Sequence, residues 1–303
     1  MKEFSGQRVL DFVPALRDLV QLMWLRRCAS QDPRIRRYAQ LSFNILSEVS
    51  FYFAEPWQLL VGYDQDRMKV FNVEEGHYKA LERPAVLRSD HLVCMISRVC
   101  ALCLGGYPAS RAVYRLNLLK AEVTEAPSML HIREDPGLIE HGRLVYAFGG
   151  YDGTHFLHSC EVFSLSSGKW TPLPDLLVPG CYFPPALLGA DIYLPNYQHV
   201  QAFNLPAKAF RLIRLRPYLT SRPVLLPLEG ELIFLTQEKQ ICRFRPSDAS
   251  EVELQQGEVK ADFPHFAIPT AVPVLRERVA IWVTRNDIKL ARFRLDSLTV
   301  TIE

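Results

Sequence analysis

The chain of 303 residues is long enough for one large closed domain or two ordinary ones. Its composition, 49% hydrophobic and 22% charged, is that of a core-forming chain and excludes a disordered one, and a net charge of +2 gives no pull toward nucleic acid or an anionic membrane. No apolar run reaches the roughly 18 residues that a membrane-spanning helix needs. Residues 1–47 differ from everything after them. Val9, Leu10, Phe12, Val13, Leu16, Leu19, Val20, Met23 and Trp24 recur at three- and four-residue steps, which predicts an amphipathic helix. Arg26 and Arg27 then fall in its last turn, where cations favour the helix dipole. Asp32-Pro33 reads as a break, and Arg34 to Ser47 as a second helix with Ile35, Tyr38, Leu41, Ile45 and Leu46 on its apolar side. This segment is expected either to pack on the main domain or to serve as a partner-binding or self-association helix. Its opening, MKEFSGQRVLDF, lacks the apolar core and cleavage site of a secretory signal. Seven cysteines at irregular positions, an odd number, fit reduced thiols, so a cytoplasmic or nuclear location is expected.

From about residue 48 the chain repeats itself. Aligned on one strand aromatic, Phe71, Tyr114, Phe163, Phe203, Phe244 and Phe293 are separated by 43, 49, 40, 41 and 49 residues. In four of these units a second apolar anchor comes seven residues later: Phe71 with Tyr78, Phe163 with Trp170, Phe203 with Phe210, and Phe293 with Val300. Each unit also has an apolar strand upstream, namely Leu59 to Val61, Val99 to Leu104, Leu144 to Phe148, Asp191 to Leu194, Leu232 to Leu235 and Val279 to Val283. Short strands at a period in the forties are what propeller blades produce.

The fullest unit is Leu144 to Trp170, LVYAFGGYDGTHFLHSCEVFSLSSGKW. An apolar run ends in Gly149-Gly150, a turn-rich tip follows, and a second alternating run leads through Ser167-Gly168 to Trp170. Glycine supplies the positive φ where a chain reverses, and tryptophan supplies a large apolar anchor. This pattern resembles the kelch repeat, one four-stranded blade of a β-propeller, marked by a double glycine, an aromatic and a tryptophan at set offsets. The glycine pair recurs at Gly105-Gly106, shrinks to Gly62 in the first unit, and gives way to Pro195-Asn196, Thr236-Gln237 and Thr284-Arg285 in the last three. The resemblance implies an all-β fold, a six-bladed kelch-type β-propeller over 48–303 preceded by the short N-terminal helical segment 1–47. Leu298 to Ile302 could serve as the last outer strand, or a segment near Leu41 to Ser47 could complete the ring; the sequence leaves both open.

Candidate chemistry is sparse. Cys100 and Cys103 form a C-x-x-C, but inside an apolar strand this spacing sends the thiols to opposite faces, and no second ligand pair follows. His155, His158 and Cys160 cluster after the double glycine without a carboxylate or further histidine at ligand spacing, so no metal is expected there. The arginines from Arg211 onward alternate with aromatics, as in Arg243-Phe244-Arg245 and Arg292-Phe293-Arg294. They read either as a solvated or ion-paired blade face or as a contact for an acidic peptide. No G-x-S-x-G, H-E-x-x-H, Walker or dinucleotide motif occurs, and the Tyr, His and Cys copper set of kelch-fold sugar oxidases is not found.

The expected function is therefore a non-enzymatic protein-interaction module without cofactor, with a partner protein or peptide on one propeller face, no membrane, and nucleic acid disfavoured. The propellers of kelch-like ubiquitin-ligase adaptors capture substrates in this way. In those proteins a helical linker joins a BTB domain to the propeller. Residues 1–47 resemble that linker, and none of the 303 residues reads as a BTB domain. Loop position nominates Tyr107, Tyr151, Asp152, His155, Tyr197 and Arg285 as partner contacts. A ligand-binding or catalytic central channel and an actin-binding role are the alternatives.

Overall fold

The computed structural model describes residues 59–302 except 65–66, 73–76, 88–90, 98–99, 119, 182–184, 197, 220–222, 229, 237–240, 247–249, 260–278, 284–287 and 295–298. All of these lie in one compact unit, Trp57–Glu303. The predicted N-terminal helices lie outside the described residues. Among the described residues every regular element is a strand, and no helix is long and apolar enough to cross a membrane.

The strands come in antiparallel groups, in chain order. β1 (Leu59–Asp64), β2 (Arg67–Asn72) and β3 (His77–Glu82) form the first sheet. β4 (Leu92–Met95), β5 (Cys100–Leu104), β6 (Val113–Asn117) and β7 (Glu122–Ala126) form the second. β8 (Gly137–His141), β9 (Leu144–Phe148), β10 (Cys160–Ser164) and β11 (Lys169–Leu173) form the third. The fourth repeat contributes β12 (Ala186–Leu188), β13 (Asp191–Pro195), β14 (His199–Asn204) and β15 (Ala209–Arg216). The fifth contributes β16 (Pro223–Leu228), β17 (Glu231–Thr236), β18 (Ile241–Phe244), β19 (Glu251–Glu253) and β20 (Gln255–Val259). The last contributes β21 (Val279–Val283), β22 (Ile288–Arg294) and β23 (Thr299–Ile302).

The four seven-residue pairs are hairpin partners. Phe71 stands opposite Tyr78, Phe163 opposite Trp170, Phe203 opposite Phe210, and Phe293 opposite Val300. Alternation and turn length set these registers, since one residue of slip would turn every core side chain to the other face. The two remaining repeats correct the sequence alignment. In the second, Tyr114 stands opposite Glu125, while Leu116 stands opposite Val123, seven residues on. Leu116 is fully buried and takes the anchor place two residues beyond Tyr114, on the same strand face. In the fifth, Glu251 lies seven residues after Phe244 yet joins another sheet: β19 runs parallel to β15, with Arg214 opposite Glu251. That crossing covers the open edge of the eight-residue β15, and β20 takes the place beside β18 instead. β20 also pairs in parallel with β23, so the fifth and sixth repeats share one seven-stranded sheet rather than standing as separate four-stranded blades.

Because side chains alternate across each strand, the described sheets of the second to fifth repeats offer apolar residues to one another. Leu102, Leu104, Val145, Ala147, Phe163 and Trp170 fuse the second and third repeats. Phe148, Cys160, Val162, Ile192, Leu194 and Phe203 fuse the third and fourth. Tyr193, Ala202, Ile213, Leu225, Phe234 and Phe244 fuse the fourth and fifth. Trp170 meets Phe163 at a ring separation of 5.1 Å and donates its indole N–H to the Pro127 carbonyl at 2.8 Å, satisfying its polar edge while burying the ring. Burying an aromatic of that size contributes on the order of 3 kcal/mol. Antiparallel sheets stacked through continuous apolar layers fit a β-propeller.

Candidate functional site

Successive antiparallel strands reverse direction, so connections after the second and fourth strands of a repeat leave one end of the sheets, and the others leave the opposite end. The two ends differ. At one, turns such as 118–121, 142–143, 165–168 and 205–208 are short. At the other, loops 83–91, 105–112, 127–136, 149–159 and 174–185 are long. All seven large apolar side chains that stand exposed among the described residues belong to the long-loop end. Tyr107 is 74% exposed on loop 105–112, Phe156 54% exposed on loop 149–159, and Leu130 and Ile132 project from loop 127–136. Leu177, Val86 and Tyr218 occupy three further connections of the same end.

These loops are held rather than loose. Backbone bridges join Ser110 to Arg133 and Glu134 to Tyr151, lacing loop 127–136 between the loops of the second and third repeats. Beneath it lies a fully buried ion pair, Arg133 to Glu161, at 2.7 Å. The Arg133 guanidinium also donates to the carbonyls of Gly149 and Ser159, and the Glu161 carboxylate accepts the amides of Leu130 at 2.7 Å and His131 at 3.3 Å. Charged groups taken this far from water persist only when paired and hydrogen-bonded. Their effect is to fix the backbone from which Leu130 and Ile132 project. The fourth repeat does the same without charge. Gln201, like Glu161 two residues before the aligned Phe, accepts the amides of Leu177 and Val178 and donates to the Val178 carbonyl.

Of the nominated contacts, Tyr151, Asp152 and His155 share loop 149–159, and Tyr107 stands on the equivalent loop of the preceding repeat. Tyr197 and Arg285 lie outside the described residues. Tyr151 meets Phe156 with ring centroids 5.4 Å apart and planes tilted by 58°. Asp152 Oδ1 accepts the Thr154 hydroxyl, the Thr154 amide and the His155 amide, each at 2.7 Å, making a rigid Asx turn. The Thr154 hydroxyl, then the two amides, hold the Asp152 carboxyl down at about 2, well under the ordinary value of ~3.9. A carboxyl depressed in the fold stabilises it above its unfolded pKa and loses that contribution as pH falls through the folded value. An NMR titration of the Asp152 carboxyl is expected to show a midpoint near 2 and, in Thr154→Val, a higher one. An unmoved midpoint in that variant would discard the hydroxyl as the cause.

The histidines and cysteine near this tip do not share a focus. His155 is exposed, His158 Nδ1 sits 2.7 Å from the Leu176 carbonyl, and Cys160 is buried, its thiol pushed up to about 12 by desolvation. Of the C-x-x-C pair, Cys103 is fully buried and Cys100 half-buried, both as free thiols.

Four of the arginines that suggested an acidic partner are engaged in ion pairs. Arg211 meets Asp191 at 2.7 Å, and Arg243 and Arg245 share Glu231 at 2.9 and 2.6 Å. Arg216 meets Glu251 at 3.2 Å across the β15–β19 crossing. Loop position in the sequence nominated residues just after the turns that close the second strands, and passed over Phe156, Leu130, Ile132 and Leu177. The last three sit in Pro-containing connections, PSMLHIREDP and PDLLVPG, where Met129 and Leu176 turn into the core while Leu130, Ile132 and Leu177 face solvent.

The family called the kelch motif matches residues 133–177, the stretch from the buried arginine through the double glycine and Trp170. Two curated relatives from cowpox virus, each named kelch repeat and BTB domain-containing protein 2, are similar to part of the chain. The one from strain GRI-90 is 30% identical and the one from strain Brighton Red 29% identical, each over 94 residues. The similarity covers 30% of this chain and 17% of either relative.

Proposed function

We propose that this chain, a kelch-repeat protein, is a six-bladed β-propeller over 48–303 that works by holding a partner protein against its long-loop end. The observation that carries this reading is the confinement of all seven exposed large apolar side chains to that end. Monomeric surfaces rarely collect apolar groups on one side without a binding use, and loops on a rigid scaffold are where recognition residues concentrate. Tyr107, Tyr151, Asp152 and His155 are assigned to this surface, and by loop position Tyr197 and Arg285 as well. The kelch relatives carry a BTB domain in their names, which favours a substrate-receptor or scaffold role in the cytoplasm or nucleus. Residues 1–47 are assigned a helical docking or self-association role outside the propeller.

The test is affinity capture from cells with the intact chain, with Tyr107→Asp combined with Phe156→Asp, and with Ser167→Asp at the tight-turn end as control. Partners lost only with the first pair of substitutions, in a chain whose thermal unfolding is unchanged, support the long-loop end. Partners lost only with Ser167→Asp, or held by all three chains, refute it.

A further inference from the structure

We infer, resting on the reading that the long-loop end binds protein, that β19 is a strap that mounts the connection after β15 and so positions Tyr218 for the partner. In two earlier connections an exposed apolar side chain has its backbone held by a polar residue two places before the aligned Phe. Glu161 accepts the amides of Leu130 and His131, and Gln201 those of Leu177 and Val178. The fifth repeat has Cys242 at that position, opposite Phe234 and fully buried in the apolar cluster that joins the fourth and fifth repeats. A thiol is only a weak hydrogen-bond acceptor, so Cys242 is a poor replacement for a carboxylate or amide oxygen. The connection in question begins at Pro217 and carries Tyr218, 53% exposed, beside the buried Leu219.

β19 supplies the hold from outside. It pairs in parallel with the last three residues of β15, Arg214 to Arg216. The Arg214 amide donates to the Ser250 carbonyl at 2.8 Å, and the Leu254 amide to the Arg216 carbonyl at 2.6 Å. The second of these bonds fixes the last carbonyl before Pro217. Leu254 enters the same apolar cluster as Leu215 and Leu219, with Val252 packed against it. Glu251 meets Arg216 at 3.2 Å on the outer face. This mount is weaker than the one under Leu130. Arg133 and Glu161 are fully buried, whereas Arg216 and Glu251 stand about half in solvent and β19 is three residues long. An exposed ion pair adds little, and a short edge ladder opens at low free energy. The strap is therefore the part of the binding end able to let go of its side chain while loops 127–136 and 174–185 stay set.

Hydrogen exchange and a double-mutant cycle test this on the full chain. Val252→Pro puts a residue without an N–H at the centre of β19. Mass spectrometry should then show faster exchange in 215–219 and the wild-type rate in 129–132. For binding, peptides are recovered by panning a phage-displayed random library on the immobilised chain and measured by fluorescence anisotropy. Their affinity should fall about tenfold with Tyr218→Ala and about as much with Val252→Pro. Adding Val252→Pro to Tyr218→Ala should cost less than about twofold more, because both act on one contact. The loss from Val252→Pro should instead multiply with that from Leu130→Ala combined with Ile132→Ala. Thermal unfolding is the folding control. If Val252→Pro does not fold, Glu251→Lys, which sets like charge against the exposed Arg216, takes its place with a several-fold loss expected. Peptides that depend on Leu130 and Ile132, but are indifferent to Tyr218 or to the strap variant, overturn the strap and leave the binding end in place. So do losses from Tyr218→Ala and the strap variant that multiply, or exchange that rises equally in 129–132. Peptides that bind every variant alike, or a panning that recovers none, overturn the strap and the binding end together.

Discussion

Glu161→Ala is expected to destabilise the protein by about 3–5 kcal/mol, the range found when one partner of a buried ion pair is removed. The loss has two parts. Arg133 stays fully buried with its guanidinium facing no carboxylate, and its Nε already lacks a hydrogen-bond partner. The amides of Leu130 and His131 lose their acceptor at the same time. Arg133→Met combined with Glu161→Gln should recover part of the loss. It removes the buried charge, fills most of the volume, and leaves an amide oxygen where Gln201 works in the next repeat. Denaturant midpoints decide the matter. A Glu161→Ala protein within about 1 kcal/mol of wild type would mean that water reaches the pair, and loop 127–136 would then not be the rigid mount that binding requires.

The second large effect is expected at the double glycine. Gly149 has φ +57°, and a Cβ built there would lie 2.2 Å from the Gly180 carbonyl oxygen and 2.8 Å from Leu176 Cδ1. The first of these is backbone, itself bonded to the Gly150 amide at 2.8 Å, so it cannot withdraw without opening the loop contact. Gly149→Ala therefore combines a left-handed conformation with a forced overlap, together roughly 2–5 kcal/mol. Gly153→Ala is the comparison: φ is +101°, but nothing lies within 4 Å of the added carbon, so only backbone strain is felt. Equal unfolding midpoints for the two variants would show that the close approach of Gly180 is not what requires glycine at position 149.

The corrections to the sequence alignment share one origin. Aromatic likeness aligns Tyr114 with Phe163, while the hairpin register gives that place to Leu116, opposite Val123. Chemical likeness misled where geometry decided, because moving two residues along a strand keeps the same face. In the fifth repeat the missing seven-residue anchor reflects a strand, β19, that left its own sheet for the edge of β15. Nothing near Glu251 in the chain announces this, since an open edge on another sheet is what attracts it.

What the sequence determined by itself is everything that depends on neighbours a few residues apart. Alternation named the strands, seven-residue steps set four hairpin registers, and Gly149-Gly150 with Trp170 marked the one full repeat, because pleat, turn and φ are local quantities. What only the tertiary structure decided depends on residues far apart in the chain. Arg133 and Glu161 are 28 residues apart and acquire meaning only when buried together, and Arg214 meets Glu251 across a whole repeat. The binding end belongs with these. Leu130, Ile132 and Leu177 look like ordinary core residues in the sequence, and only the packing of the sheets, whose cores are filled by strand side chains, leaves them facing solvent.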